Sequence, residues 1–239
     1  HGSSTAAQNI GEGQKVILNV FEHITMAMAD ASFGVSDYVS SWDICKKSKT
    51  YKGTVYNITK FKAQTNDSRN IREEFDISPD DIVIVSTGRI IKDKGFDVLW
   101  DTIKKVGKRE NVKYLIVGEG EYKEQFISEK ESSELKDDVI FTGYRADVLD
   151  ILSECDIFVI CTKHETLCIS LLEAAATGLP MVATNVGGIP EIVDEKCGIL
   201  VENENSDEFA KALISLIDDE DKRKMMGQFS KEKIQKERS

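Results

Sequence analysis

The 239-residue chain has no run of about 18 apolar residues, so no segment of it reads as a bilayer-spanning helix. Its longest apolar runs are the length of a strand, as in Ile82-Val83-Ile84-Val85. No C-x-x-C pair occurs among its five cysteines (Cys45, Cys155, Cys161, Cys168 and Cys197), which removes the usual zinc and thioredoxin-type spacings. An odd, scattered set fits a reducing cytosol. Cys155 and Cys161 flank an apolar strand and read as core residues. Positive charge is also short: the formal net charge is -11, which argues against nucleic acid as a partner and against attachment to anionic lipid by charge alone. The basic residues of the last segment (Lys222, Arg223, Lys224, Lys231, Lys233, Lys236, Arg238) are interleaved with acids and read as a solvated helix face. No secretory leader pattern opens the chain. What remains is 41% hydrophobic and 31% charged, the composition of a soluble globule, with length for one large domain or one domain plus part of another.

From about residue 81 onward strands and helices alternate. Strands are expected over 82–86, 113–117, 139–142, 156–161, 181–184 and 198–201. Helices are expected over 95–106, up to about 132, and over 148–153, 169–177 and 206–217, the fourth stopped by Gly178 and Pro180 and the last capped by Ser206. Near-continuous apolar strands between helices mean a parallel sheet covered on both faces, an α/β doubly wound fold. The first 60 residues read as helix 14–31, strand 31–36, helix 36–48 and strand 54–57. A piece this short cannot bury a core of its own, so it looks like the end of a preceding domain plus a crossing, with a polar linker over 61–70. The expected division is 1–58 and 59–239.

Ligands in doubly wound folds bind outside the C-terminal ends of the strands. Gly88-Arg89, Gly118-Glu119-Gly120, Gly143-Tyr144-Arg145, Glu165 and Gly187-Gly188 all fall there. Any one of these is explained by a tight turn that needs glycine; the set, with charges inside several turns, favours a binding cleft. Glu165 and Glu173 lie eight positions apart across a loop-to-helix start, where anions such as phosphate bind. Glu165 reads either as a sugar-hydroxyl ligand or stabiliser of positive charge at an anomeric carbon, or as a simple first-turn carboxylate. Glu173 sits among apolar residues, where an acid needs a partner; a ribose diol would supply two hydrogen bonds. Arg89 and Lys94 together suit a diphosphate, whereas Lys92 reads as a surface lysine. His164 reads as a general base or, more simply, as a packing and hydrogen-bonding residue.

The order G-R-x-x-x-x-K-G, V-G-E-G, F-T-G-Y-R-x-D, D-I-F-V-I-C, E-x-x-x-x-x-x-x-E-A, G-L-P-M-V-A-T, V-G-G-I-P-E-I-V and G-I-L-V over residues 81–217 resembles the nucleotide-sugar domain of retaining glycosyltransferases of family four, with the GT-B fold. A-D-A-S-F-G-V-S-D-Y-V resembles the last strand and helix of that family's N-terminal domain, and Val55-Tyr56-Asn57 the crossing between domains. The resemblance implies a Rossmann-like donor domain carrying a partial piece of the N-terminal domain. It implies that Arg89 and Lys94, beside the Gly88 turn, bind the donor diphosphate, that Glu165 faces the donor sugar and that Glu173 holds the ribose. The backbone near Tyr144 and Arg145 would meet the base, and amides around Leu167, Cys168 and Ile169 would cradle phosphate and sugar. The family is usually metal-independent and uses no cofactor. Many members have E-G-F-G where this chain has Glu165-Thr166-Leu167-Cys168, which restricts the backbone nearest the sugar. Most of the N-terminal domain, with the acceptor site, is missing from the pattern, so this piece alone is expected to be inactive. His1-Gly2-Ser3 resembles the family's histidine motif and, equally, the end of a purification tag.

The resemblance thus implies transfer of a sugar from a nucleotide diphosphate sugar, on family grounds a UDP-sugar, to a glycan or lipid-linked acceptor in polysaccharide biosynthesis. A lipid-linked acceptor would bring a cytoplasmic enzyme to the inner face of the membrane as a peripheral protein. Two other readings stay open: a nucleotide-sugar-binding module without turnover, and a nucleotide-sugar epimerase on the same fold.

Overall fold

The computed structural model describes residues 12–56 and 70–237. Residues 61–69 of the expected linker, the expected 58/59 boundary, His1-Gly2-Ser3, Asn57 and Arg238 lie outside the described residues.

The first segment is α1 (Glu12–Met28), β1 (Ser32–Gly34), α2 (Asp37–Ser40), α3 (Asp43–Lys47) and β2 (Tyr51–Thr54). The single helix expected over 36–48 is broken in two. Trp42 adopts an extended backbone, and the Ser41 hydroxyl donates back to the Tyr38 carbonyl at 2.7 Å, a local bond that competes with helix continuation. The strand expected over 54–57 lies earlier, because its partner sets its length: β1 pairs with β2 in parallel from Ser32↔Tyr51 to Gly34↔Thr54. Among the described residues of this segment, Cys45 is the one buried hydrophobic side chain, while Val16, Ile17, Val20, Phe21 and Met28 of α1 are exposed.

The second unit runs α4 (Ile71–Glu74), β3 (Ile82–Thr87), α5 (Phe96–Val106), β4 (Val112–Val117), α6 (Lys123–Glu131), β5 (Val139–Gly143), α7 (Val148–Ser153), β6 (Ile157–Ile160), α8 (Ile169–Thr177), β7 (Met181–Thr184), β8 (Gly198–Val201), α9 (Ser206–Ile217) and α10 (Glu220–Glu237). The six strands form one sheet in the order β5-β4-β3-β6-β7-β8, every pair parallel. That is the dinucleotide-fold order 3-2-1-4-5-6, and its direction reverses between β3 and β6.

Strand alternation sends successive side chains to opposite faces. Ile84, Tyr114, Ile116 and Val159 join one buried cluster with α5 and α9, through Leu99, Ile103, Phe209 and Leu213. Val83, Val85, Leu115 and Phe158 join the other, with α7 and α8, through Ile151, Leu152, Leu171 and Leu172. Burying each such side chain contributes about 1.5–3 kcal/mol, so both faces hold the sheet. The cap of α9 differs from expectation: Asn205 accepts from the Glu208 N–H at 3.1 Å, while the Ser206 hydroxyl accepts instead from Lys105 at 2.9 Å. Asparagine one position earlier meets the geometric need of the cap, so serine is left for the tie to α5. The terminal helix α10 lies over α8 and α9, with Ser230 donating to the Cys197 carbonyl and Arg223 to the carbonyls of Leu216 and Ile217 at the end of α9. Among the described residues no helix is long and apolar enough to cross a membrane.

Candidate functional site

A cleft of about 550 Å³ opens at the carboxyl ends of β3, β4, β5 and β6, over the switch point of the sheet. The ten residues that the resemblance assigned to donor binding all line it: Gly88, Arg89, Lys94, Tyr144, Arg145, Glu165, Leu167, Cys168, Ile169 and Glu173. Strand ends place them. Thr87 is the last residue of β3, so Gly88-Arg89 forms its exit. Gly118, leaving β4 at φ +144, packs on that exit so closely that a Cβ would lie 1.9 Å from the Gly88 carbonyl oxygen. The two turns therefore form one floor.

Arg89 is exposed in the cleft, and no hydrogen bond or ion pair with another described residue holds its guanidinium. Lys94 is committed: its Nζ donates to Glu165 Oε2 at 2.8 Å, with the two side chains 24% and 14% exposed. Glu165 Oε1 also accepts from the Thr166 N–H at 3.0 Å. Next to this pair, His164 Nδ1 lies 2.9 Å from Asp93 Oδ1 and the Lys163 N–H donates to the Asp93 carbonyl at 3.0 Å, so several bonds tie the 92–94 turn to the exit of β6. His164 is thereby a hydrogen-bonding residue at the rim, outside the cleft lining.

Helix α8 begins in the cleft. Its N-cap, Cys168, has an extended backbone and makes no side-chain capping bond, so the first-turn amides and the positive end of the helix dipole are open to an anion. Leu167 and Cys168 are buried beneath that turn and Ile169 is 49% exposed at its edge. Burial, and then the negative charge of Glu165, push the Cys168 thiol up to about 11, so it stays protonated and unreactive at neutral pH. A little over one turn into the helix, Glu173 reaches the cleft half-buried. Desolvation raises its pKa, and no hydrogen bond from a described residue compensates its carboxylate. An acid in that state seeks donors.

Tyr144 stands 79% exposed at the rim. Arg145 is spent internally. Its guanidinium donates to Asp147 at 2.8 and 2.6 Å and to both carboxylate oxygens of Glu74, and it lies over the Phe75 ring at 5.5 Å. Those bonds hold its charge more firmly than usual. What residues 144–145 offer a ligand is therefore backbone and the Tyr144 ring. Gly187-Gly188 does not line the cleft. It lies behind Glu165-Thr166, as close support. Ser170, Val148 and Thr87 do line it and were not singled out from the sequence. Ser170 was within reach of sequence reasoning, since it precedes Glu173 by three residues on one helix and so shares its face. Among the described residues, no group of three or more His, Cys, Asp or Glu side chains has the arrangement of a metal site.

The family described as glycosyl transferases group 1 matches residues 67–233. The N-acetyl-alpha-D-glucosaminyl L-malate synthase of Bacillus anthracis is 26% identical over 96% of this chain and 65% of its own length. A GDP-mannose-dependent monoacylated alpha-(1-6)-phosphatidylinositol monomannoside mannosyltransferase of Corynebacterium glutamicum is 31% identical over 69% of this chain and 45% of its own length. The chain thus spans less than two thirds of these curated relatives. In three dimensions it is similar to HepE of Anabaena in complex with UDP, with a TM-score of 0.80 at 19% identity, covering 98% of this chain and 66% of that one. At that identity the likeness concerns the fold, that of GT-B glycosyltransferases. With the family pattern covering most of the molecule, including every strand of the main sheet and the whole cleft, this chain belongs to the glycosyl transferases group 1 family.

Proposed function

We propose that this chain is the donor-binding part of a retaining glycosyltransferase of family four that takes a nucleotide diphosphate sugar, with UDP as the nucleotide. The reading rests above all on one arrangement: two acids, Glu165 and Glu173, flank the uncapped start of α8 and face a cleft that also holds Arg89 and Lys94. Glu173 is suited to the ribose diol, whose two hydroxyls would donate to its uncompensated carboxylate. The diphosphate would lie on the α8 amides with Arg89 and Lys94 beside it. As the bond from the anomeric carbon to the diphosphate oxygen breaks, negative charge grows on the leaving group and positive charge on the sugar. The two cations and the helix dipole stabilise the first, and Glu165 the second. The work is positioning and electrostatics at fixed groups.

The Lys94–Glu165 pair fits this scheme as a ligand-free resting state. An arriving diphosphate competes for Lys94 Nζ and frees Glu165 Oε2 to face the sugar. The acceptor, a glycan or a lipid-linked sugar, would approach from outside the cleft, and a lipid-linked one would bring the protein to a membrane surface. Titration calorimetry with UDP and UDP-sugars, followed by an assay of sugar release and transfer, tests the reading. Binding of UDP with transfer in the longer relative-like protein supports it. No affinity for any nucleoside diphosphate sinks it, and binding without turnover in every form would make the chain a nucleotide-binding module.

A further inference from the structure

The motif Val186-Gly187-Gly188-Ile189-Pro190-Glu191 lies outside the cleft, and the donor scheme gives it no role. Its surroundings do. A Cβ on Gly187 would lie 1.7 Å from the Glu165 carbonyl oxygen, and one on Gly188 would lie 2.3 Å from that of Thr166. The same added Cβ atoms would also meet the first segment, at 3.5 Å from the Tyr38 ring for Gly187 and 3.4 Å from the Ser36 Cβ for Gly188. Three stretches of chain thus come together at the glycine pair, which has no room for a side chain of its own: the start of α2, the pair itself, and the Glu165 loop.

Hydrogen bonds lock the stack at both ends. The buried Ser36 hydroxyl donates to the Thr166 carbonyl at 2.7 Å, across 130 residues of sequence. Glu191 grips the same start of α2 with both carboxylate oxygens, accepting from the Asp37 N–H at 3.1 Å and the Tyr38 N–H at 2.7 Å. Asp37 in turn accepts from the Thr54 hydroxyl and the Tyr56 hydroxyl, each at 2.7 Å, at the end of β2. The first segment therefore meets the second at a joint centred on the residue that follows Glu165.

We infer that Glu191 is a positioning residue for the Glu165 loop: by fixing Ser36 through the start of α2, it sets where Glu165 and Thr166 stand in the cleft. The importance of that loop for sugar transfer rests on the donor reading above; the mechanical coupling does not. Glu191 touches neither the cleft nor Arg89, Lys94 or Glu173, so any effect on the nucleotide reaches it through the Glu165 loop alone.

The test is native-state hydrogen exchange on the whole chain with Glu191→Ala and the milder Glu191→Gln, read beside UDP affinity and the unfolding midpoint. In Glu191→Ala, exchange at Asp37 and Tyr38 should rise on the order of tenfold, the equivalent of one lost charged hydrogen bond, and the 165–168 segment should rise with it. Glu191→Gln keeps one acceptor oxygen and should give the same pattern more weakly. The UDP dissociation constant should rise by less than about tenfold, since Arg89 and Glu173 are untouched and only the Glu165 loop is loosened. If exchange at 37–38 rises while 165–168 stays still, the coupling is overturned. It is overturned too if both variants lose UDP affinity and melt earlier, which would make Glu191 a general structural residue. If the unaltered chain fails to bind UDP while the exchange pattern appears, the donor reading fails and the joint stands.

Discussion

Residues 12–56 and 70–237 are built from the same alternation of helix and strand, yet they are held in different ways. The second stretch closes a six-stranded sheet between two buried clusters. The first has a two-stranded ladder, one buried hydrophobic side chain among its described residues, and an α1 whose apolar residues face outward. Helical stretches occur in both, but only the second has enough surface to remove from water. The first is placed by polar contacts, through Ser36, Asp37 and Tyr38, against the loop that carries Glu165. A core residue and a joint residue therefore answer to different physics, and substitutions separate them.

The largest contrast is expected in the core. Phe158, on β6 and fully buried, should lose about 3–5 kcal/mol of stability as Phe158→Ala, measured by denaturant unfolding. A loss below about 1 kcal/mol would mean that this cluster is not the one that holds the sheet. Next comes the cleft. Arg89→Ala should weaken UDP binding by roughly 30-fold, about 2 kcal/mol for a lost charge-assisted contact, without moving the unfolding midpoint; unchanged affinity in calorimetry would remove Arg89 from the site.

Glu173 gives a smaller, pH-dependent effect. Its pKa is raised in the folded state by desolvation, so the folded chain holds that proton more tightly than the unfolded one. Ionisation above the unfolded pKa then costs stability, and the cost disappears as pH falls below it. Glu173→Gln should therefore melt at the same temperature or higher at neutral pH. It should bind UDP roughly tenfold more weakly there, and it should lack the decline in affinity expected of the unaltered chain as pH falls through the raised carboxyl range. Early melting instead would mark Glu173 as structural. The smallest effect belongs to the first segment: Phe21→Ser on α1, where Phe21 is 61% exposed, should change stability by less than about 0.5 kcal/mol. A larger loss would show that α1 is covered in solution.

The sheet was legible because parallel strands buried on both faces are written as short apolar runs, and turn residues separate them. Helices 148–153, 169–177 and 206–217 appear within those bounds because their apolar faces are complete, and 169–177 also ends on a glycine stop. The first segment was less legible. Nothing in 36–48 marks the break at Trp42, which a hydroxyl-to-backbone bond produces, and the position of β2 depends on which residues of β1 remain to be paired. Within the cleft, charged residues and strand-end turns could be named from the chain alone. That Arg145 is consumed by Glu74 and Asp147 could not, because Glu74 lies 71 residues away. Nor could the service of Gly187-Gly188 as a spacer behind Glu165, which exists only when three distant stretches are stacked.

By itself, the sequence determined which stretches become strands and helices in residues 81–217, and which kinds of side chain stand at the strand ends. Both are local properties, set by periodicity and by the backbone freedom of each residue. Tertiary structure alone decided which of those side chains are free. Among the described residues it left Arg89 open, paired Lys94 with Glu165, stripped water from Glu173 without supplying a partner, and joined Glu191 to a segment more than 150 residues earlier. Charge, solvation and hydrogen bonding depend on distance in space, and that distance is fixed only when the chain has closed on itself.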